Sequence, residues 1–297
     1  MIRLQMAIKK WFLPRNNISI NGSINLPGDK SIGIRSVIIL SQCYGVSEVY
    51  NISDGEDVQT AVHAIKKLNI PIKKVAPNQY KIFGLGIGFK KFKGTINFNN
   101  SGTTLRLLTG LLSTSPVNAK LIGDKSLSGR PIRIIPLMEK FFASFYPKNK
   151  NYLPVNVTGY ENSVQTEINI NKPSAQIVSA CILAGMNSHG LTTITAPNAQ
   201  RDHTELMLKF LNYPITIKND GKRKTIKIMG KQYLRPEKKY IVPGDPSSAA
   251  FLVVLALLTK NSKLELNNVL LNPKRIGFLS VLRKMGANIK IKDKQKK

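Results

Sequence analysis

Four stretches of the chain are apolar on nearly every side, and each opens with small or polar residues. They are "PGDKSIGIRSVIILSQCYG", "NSGTTLRLLTGLLS", "KPSAQIVSACILAGMNSHG" and "VPGDPSSAAFLVVLALL". A helix without a polar stripe belongs inside a fold rather than on its surface. Four further stretches, "DGEDVQTAVHAIKKL", "GRPIRIIPLMEKF", "QRDHTELMLKFL" and "NPKRIGFLSVLRKM", place apolar residues at i, i+3, i+4 and i+7, as in Val58, Ala61, Val62 and Ile65. That spacing predicts amphipathic helices. Between the two kinds of helix lie "SEVYNI", "NAKLIG", "LTTITA" and "KLELNN", and after the second kind come runs such as "IPIKK", "YPITIK" and "ANIKIK". These short β-branched segments predict strands.

The pattern recurs at a fixed period. Ser31, Thr103, Ser174 and Ser247 hold the same place in the first helices and are 72, 71 and 73 residues apart; Asp57, Arg130, Arg201 and Lys274 open the second helices and are 73, 71 and 73 apart. Self-similarity of this kind is the mark of a repeat architecture. It predicts an α/β fold of repeated βαβαββ-type units, with the apolar helices inside and the sheets outside, rather than an open doubly wound sheet.

If the units pack symmetrically, the N-termini of the first helices converge. Each helix start offers unpaired N–H groups and about half a positive charge, so a cluster of them suits an anion. Ser and Thr at such places are also ordinary helix caps, a role open to Ser174 and Ser247. Capping does not account for Lys30, Arg35, Arg130 and Arg201 at matching places of the units, and arginine suits phosphate or carboxylate because its planar fork meets two oxygens. An ATP-binding loop is excluded. That loop sets its second glycine directly before the lysine, whereas Asp29 separates Gly28 from Lys30.

Composition alters this picture little. A chain of 297 residues, 42% hydrophobic and 21% charged, suits one large or two medium soluble domains. Its longest apolar run, Ala249 to Leu258, is about half of a membrane span, so no membrane association is expected. The opening "MIRLQMAIKKWFLPRNN" lacks an apolar core and a cleavage site of the secretory kind. It reads as a short tail, with a mitochondrial-type targeting segment as the alternative. Cys43 and Cys181 fall in apolar runs and read as core residues of a protein from a reducing compartment, most simply the cytoplasm. His63, His189 and His203 have no metal-like spacing. Net charge is +29, from 45 Lys and Arg against 16 Asp and Glu, but the lysines are scattered and no nucleic-acid motif accompanies them. A solvated surface is the expectation, with no nucleic-acid partner.

At "LPGDKSIGIRS", "NNSGTTLRLL", "GDKSLSGRPI", "PSAQIVSACILAGM", "RDHTELML" and "VPGDPSSAAF" the chain resembles the enolpyruvyl transferases, and among them the 5-enolpyruvylshikimate-3-phosphate (EPSP) synthase family. The resemblance runs from about Asn17 onward through motifs in order. It implies an inside-out α/β barrel of six units in two domains, with substrates bound between them. The reaction it implies joins the 5-hydroxyl of shikimate 3-phosphate to C2 of phosphoenolpyruvate and releases phosphate, without a metal or organic cofactor. Carried over by position, Lys30, Ser31, Arg35, Ser174, Ala175, Gln176 and Arg201 would hold shikimate 3-phosphate. Lys30, Asn100, Gly102, Arg130 and Gln176 would hold phosphoenolpyruvate, with Lys30 catalytic. Gly102 leaves that wall without a side chain, so a complete version is expected to admit glyphosate.

The resemblance calls for six units and the pattern supplies four. The family's catalytic Asp, its Lys-Glu pair with a following Arg, and a later Arg would lie beyond "MGANIKIKDKQKK". The expected division is 1–25 as tail and strand of an incomplete domain, 26–243 as a complete three-unit substrate domain, and 244–297 as the first unit of the incomplete one. A complete protein is expected to be a monomer, and the 297-residue chain alone to be inactive. A non-enzymatic fragment is one alternative. A UDP-N-acetylglucosamine enolpyruvyl transferase is another, but it would carry a cysteine where this loop reads "GDKSLSGRP".

Overall fold

The computed structural model of the protein describes residues 19–292. Strand β1 (Asn21–Asn25) leads into α1 (Lys30–Leu40), β2 (Tyr44–Tyr50), α2 (Glu56–Lys67) and the hairpin β3 (Ile72–Ala76) and β4 (Gln79–Leu85). The second unit is β5 (Phe92–Asn97), α3 (Gly102–Ser113), β6 (Val117–Ile122), short helices α4 (Lys125–Ser128) and α5 (Ile135–Glu139), β7 (Ser144–Tyr146) and β8 (Val155–Thr158). The third is β9 (Glu167–Asn169), α6 (Ala175–Asn187), β10 (Leu191–Pro197), α7 (His203–Phe210), β11 (Ile215–Asp220) and β12 (Arg223–Met229). After β13 (Tyr240–Ile241) come α8 (Pro246–Leu258), β14 (Lys263–Asn267) and α9 (Gly277–Lys284).

Three four-stranded sheets result, ordered β13-β2-β4-β3, β5-β6-β8-β7 and β11-β12-β10-β9, beside a pair β1-β14. In the second and third sheets the strand before the first helix lies parallel to the strand after it, β5 to β6 and β9 to β10. The first sheet departs from this. Its parallel partner for β2 is β13, whose paired residues lie 191 positions further along, while β1 pairs in parallel with β14. The chain therefore crosses between units twice, through the twin segments "LPGD" and "VPGD". Gly28 and Gly244 face each other there. The Asp29 N–H donates to the Pro243 carbonyl at 2.7 Å and the Asp245 N–H to the Pro27 carbonyl at 2.9 Å. Gly28 admits no side chain, because a Cβ would lie 1.9 Å from the Asn51 carbonyl oxygen.

Helices α1, α3 and α6 are buried along most of their length, as their all-round apolar sequences require. At Gly110 the backbones of α3 and α6 nearly touch: an added Cβ would stand 2.2 Å from the Ala180 carbonyl oxygen. The sheets cover this bundle. In β6, Val117, Ala119 and Leu121 face inward while Asn118 and Lys120 are exposed. Lys73, Lys93 and Lys227 are likewise exposed on strands, so these charges lie on the solvent face of the sheets.

Three local expectations fail for identifiable reasons. The amphipathic helix expected over "GRPIRIIPLMEKF" shrinks to α5, because Pro131 and Pro136 interrupt it and Arg133 takes φ 60°. "ANIKIK" forms no strand. The corresponding β3 and β11 are each paired by the strand that follows, and residues 287–292 have no such neighbour among the described residues. Helix α8 is not buried: Phe251 is 80% and Leu258 81% exposed. The tail "MIRLQMAIKKWFLPRNN" lies outside the described residues, apart from the strand that follows it.

Candidate active site

The starts of α1, α2, α3 and α6 are tied together by side chains at one end of the buried bundle. Lys30 Nζ meets Asp57 Oδ2 at 3.0 Å, joining α1 to α2. The Asp57 carbonyl accepts from Ser101 Oγ and Thr104 Oγ1, both at 3.3 Å, joining α2 to α3. Gln176 Nε2 donates to Thr103 Oγ1 at 2.9 Å, joining α6 to α3. Arg130 Nη2 donates to Asn100 Oδ1 at 2.6 Å and to Ser126 Oγ at 2.7 Å. Eight of the residues singled out in the sequence, Lys30, Ser31, Asn100, Gly102, Arg130, Ser174, Ala175 and Gln176, thus lie at or beside converging helix starts.

The caps differ among these helices. Ser101 caps α3 and Ser174 caps α6, each accepting a backbone N–H at 3.4 Å. Asp29 caps α1 by accepting from Ile32 at 2.8 Å, and Asp245 caps α8 by accepting from Ser247 at 2.8 Å. Ser174 is therefore a cap and Ser247 is not; the aspartates were the signal the sequence reading passed over.

Beside the start of α6 lies a cavity of about 270 Å³ lined by Arg106, Arg130, Pro131, Arg133, Ser174, Gln176 and Ile177. Arg106 was not anticipated. It stands one turn after Gly102 on α3, and its Nη1 and Nη2 donate to the Gly102 and Pro131 carbonyls, both at 2.9 Å. Burial, with Arg133 and Arg130 adding, lowers its pKa. No carboxylate pairs with any of these three guanidiniums among the described residues. A small polar cavity with three uncompensated cations and one helix start can attract and orient an anion of phosphate or carboxylate type. Gly102 belongs to this construction: a Cβ there would stand 2.6 Å from Arg106 Nη1. Arg133 could not be found from the helical pattern, because it reaches the cavity only where that pattern breaks.

Arg35 is placed differently from the others. It is 2% exposed. Its Nε donates to Thr204 Oγ1 at 2.8 Å, Nη1 to Ser31 Oγ at 2.7 Å and to the Ser31 carbonyl at 3.0 Å, and Nη2 to Ser179 Oγ at 3.0 Å. Burial brings its pKa down to about 10, which still leaves it charged at neutral pH, with Glu205 and Asp29 opposing the shift. It orients Ser31 while bracing α1 against α6 and α7. Arg201 is exposed and has no hydrogen bond or ion pair among the described residues; its charge acts on Arg35 and on His203.

His203 is 4% exposed, and neither ring nitrogen has a partner. Burial, then Arg35, Arg275 and Arg201, hold its pKa down to about 3, so it is neutral. His63 and His189 are exposed. Among the described residues no group of His, Cys, Asp and Glu is arranged to hold a metal. Cys43 and Cys181 are buried thiols whose pKa values burial raises to about 12. A larger groove of about 780 Å³ between α1, α7, β13 and residues 270–273 is walled mainly by apolar side chains such as Leu206, Phe210 and Ile241. The arginine cavity, though smaller, has the chemistry.

Comparison with known proteins agrees with this geometry. The profile of the family described as EPSP synthase (3-phosphoshikimate 1-carboxyvinyltransferase) matches residues 14–297. The chain is 39% identical over 277 residues to a 3-phosphoshikimate 1-carboxyvinyltransferase of Novosphingobium aromaticivorans, covering 92% of this chain and 62% of that protein. It is 39% identical over 273 residues to the protein of the same description from Zymomonas mobilis, covering 91% and 60%. The EPSP synthase structure from Acinetobacter baumannii superposes with a TM-score of 0.83 at 33% identity, over 92% of this chain and 61% of that one. The enolpyruvyl transferase NikO from Streptomyces tendae, at TM-score 0.68 and 14% identity, shares the fold. The chain thus spans about 60% of the length of these relatives. No described helix is long and apolar enough to cross a membrane.

Proposed function

The chain belongs to the EPSP synthase family, and on that premise we propose that it supplies the substrate-gathering half of an enolpyruvyl transfer. In that reaction the 5-hydroxyl oxygen of shikimate 3-phosphate bonds to C2 of phosphoenolpyruvate as a proton reaches C3. The hydroxyl gives up its own proton in that step, and loss of a proton from C3 together with phosphate from the tetrahedral adduct then forms the enol ether. The observation that carries the reading is the cavity in which Arg106, Arg130 and Arg133 meet the start of α6.

In this reading Ser31, Ser174, Ala175, Gln176 and Arg201 receive shikimate 3-phosphate, with Arg35 bracing Ser31 from behind. Asn100, Gly102, Arg130 and Gln176 receive phosphoenolpyruvate, joined by Arg106 and Arg133. Lys30, exposed and paired with Asp57, lies where both anions can reach it and can relay a proton. Setting two anions in contact and offsetting their repulsion is an electrostatic and proximity contribution. Residues 26–243 form the substrate domain, while residues 1–25 and 244–297 belong to its partner domain. No cofactor is required, and the protein works as a cytoplasmic monomer. The exposed α8 supports the view that the partner domain needs further units over that helix, so the 297-residue polypeptide by itself binds without turnover.

Calorimetric titration of that polypeptide with shikimate 3-phosphate is the test. Saturable heat that is lost in Arg201→Gln and kept in Lys227→Gln, on an outer strand, is the expected result. Absence of heat rejects the reading in favour of a fragment without function. Phosphate release from phosphoenolpyruvate by the polypeptide alone rejects the statement that it does not turn over.

A further inference from the structure

The two chain crossings are fastened by one side chain from the fourth unit. Arg275 Nη1 donates to Asp29 Oδ2 at 2.8 Å, and Nη2 donates to Asp245 Oδ1 at 3.1 Å and to Ser247 Oγ at 3.0 Å. The Arg275 side chain is 10% exposed and that of Asp29 is 0% exposed. The other oxygens of the two carboxylates point at the start of α1: Asp29 Oδ1 accepts from the Ile32 N–H at 2.8 Å, and Asp245 Oδ2 lies 3.4 Å from the Lys30 nitrogen.

The charges at this junction cancel only with Arg275 in place. The starts of α1 and α8 each bring about half a positive charge. Two carboxylates outweigh them by about one unit, which the guanidinium supplies. Without it, two carboxylates confront each other across the crossing. The paired bonds from Asp29 to Pro243 and from Asp245 to Pro27 lie directly between them. Those bonds fix where α1 begins, and hence where Lys30 and Ser31 are presented.

We propose that Arg275 is a positioning residue that clamps the two crossings into one geometry and thereby sets the start of α1 for anion binding. It acts through Asp29 and Asp245, which the two ends of its planar fork meet separately; a lysine ammonium is a compact point charge on a flexible stem and does not reproduce that fixed geometry. The choice of shikimate 3-phosphate as probe rests on the proposed function, whereas the clamp itself does not.

The experiment compares Arg275→Lys, Arg275→Gln and Asp245→Asn in the 297-residue chain by hydrogen exchange and by titration with shikimate 3-phosphate. In both Arg275 variants the amides of Asp29 and Asp245 should exchange at least about tenfold faster while the α3–α6 interior stays protected. The dissociation constant should rise about 10- to 100-fold, as for a displaced binding group. A role confined to holding charge would be rescued by lysine, so wild-type exchange and affinity in Arg275→Lys overturn the proposal. If Arg275→Gln does not fold, Asp245→Asn decides, since asparagine still caps α8 and the Asp29 pair remains. Faster exchange at Asp29 in that variant supports the clamp, and unchanged exchange there overturns it. A wild-type chain with no affinity for the probe refutes the proposed function instead and leaves the exchange result to judge the clamp.

Discussion

Glu205 on α7 serves two buried cations at once, which makes its removal costlier than that of either partner. Its ion pair with Lys224 on β12 has only 1% and 2% of the two side chains exposed. Arg35, 2% exposed, takes from Glu205 the largest of the charge interactions that favour its protonated form. Glu205→Gln keeps the side-chain shape and strands both cations. Lys224→Met keeps the chain length and leaves Glu205 beside Arg35. Breaking a buried pair from one side costs about 3–5 kcal/mol, so Glu205→Gln should sit near the upper figure and Lys224→Met near the lower. At about 1.6 °C per kcal/mol, which follows from about 2.1 cal/mol/K of unfolding entropy per residue for a chain of this size, the melting temperature should fall by about 8 °C and about 5 °C respectively. The double variant relieves the stranded Lys224 and should be more stable than Glu205→Gln alone. Urea unfolding followed by circular dichroism measures all three. A Lys224→Met variant as unstable as Glu205→Gln, or a double variant worse than both, would refute the shared-carboxylate argument.

His203 should give the fold an acid-sensitive limb. Its pKa is about 3 when folded, against 6.5 for the free side chain, so between those values the unfolded state binds a proton that the native state refuses. Stability is then full above about pH 6.5 and is lost as pH falls toward 3. The loss is about 2–3 kcal/mol between pH 7 and pH 4.5; His203→Gln should flatten that slope, and an unaltered slope in urea midpoints rejects the assignment. Gly110→Ala puts a methyl 2.2 Å from the Ala180 carbonyl oxygen and must push α3 from α6, at a cost of about 1–3 kcal/mol. Because α6 starts at the arginine cavity and α3 sends Arg106 into it, anion affinity should fall with it. Gly33→Ala, with its nearest neighbour at 3.4 Å, is the control, and equal losses in the two refute the close-approach reading. Limited trypsin digestion of the 297-residue polypeptide should cut first in residues 259–263, after the exposed α8, and leave α1–α7 intact; early cleavage within α1–α7 counts against this.

The fold was legible where periodicity carried it. The near-constant spacing of Ser31, Thr103, Ser174 and Ser247 located α1, α3, α6 and α8, and their all-round apolar character put the first three inside. What periodicity could not carry was the exchange of leading strands. Nothing local in "SINGSIN" or "KYIVPGD" states that β1 pairs with β14 and β13 with β2, because strand partners are chosen by the whole arrangement of units. The site was legible where a residue opens a helix, as with Lys30, Gly102 and Ser174. Arg106 lies one turn inside α3 and was findable from its i+4 relation to Gly102. Arg133 owes its place to prolines that dismantle the expected helix. Arg35 reads as a free cation in the sequence, yet its donors are spent on Ser31, Ser179 and Thr204.

The choice of caps distinguishes the start of α6, which lines the arginine cavity, from the start of α1. A hydroxyl cap satisfies a helix N–H without adding charge, so Ser101 and Ser174 leave the positive ends of their helices unopposed. A carboxylate cap cancels that end. Asp29 and Asp245 do so at α1 and α8, where two helix starts are brought side by side by the crossing and would otherwise repel. The start of α1 consequently has little backbone attraction left for an anion, and its contribution must come from the Lys30 side chain, extended beyond the neutralised end. Lys30 is itself tempered by Asp57, so an arriving anion competes with a carboxylate for it. The cavity between α3 and α6 has no such competitor among the described residues. Its three guanidiniums face no carboxylate there, whereas the Lys30 ammonium already has one in Asp57.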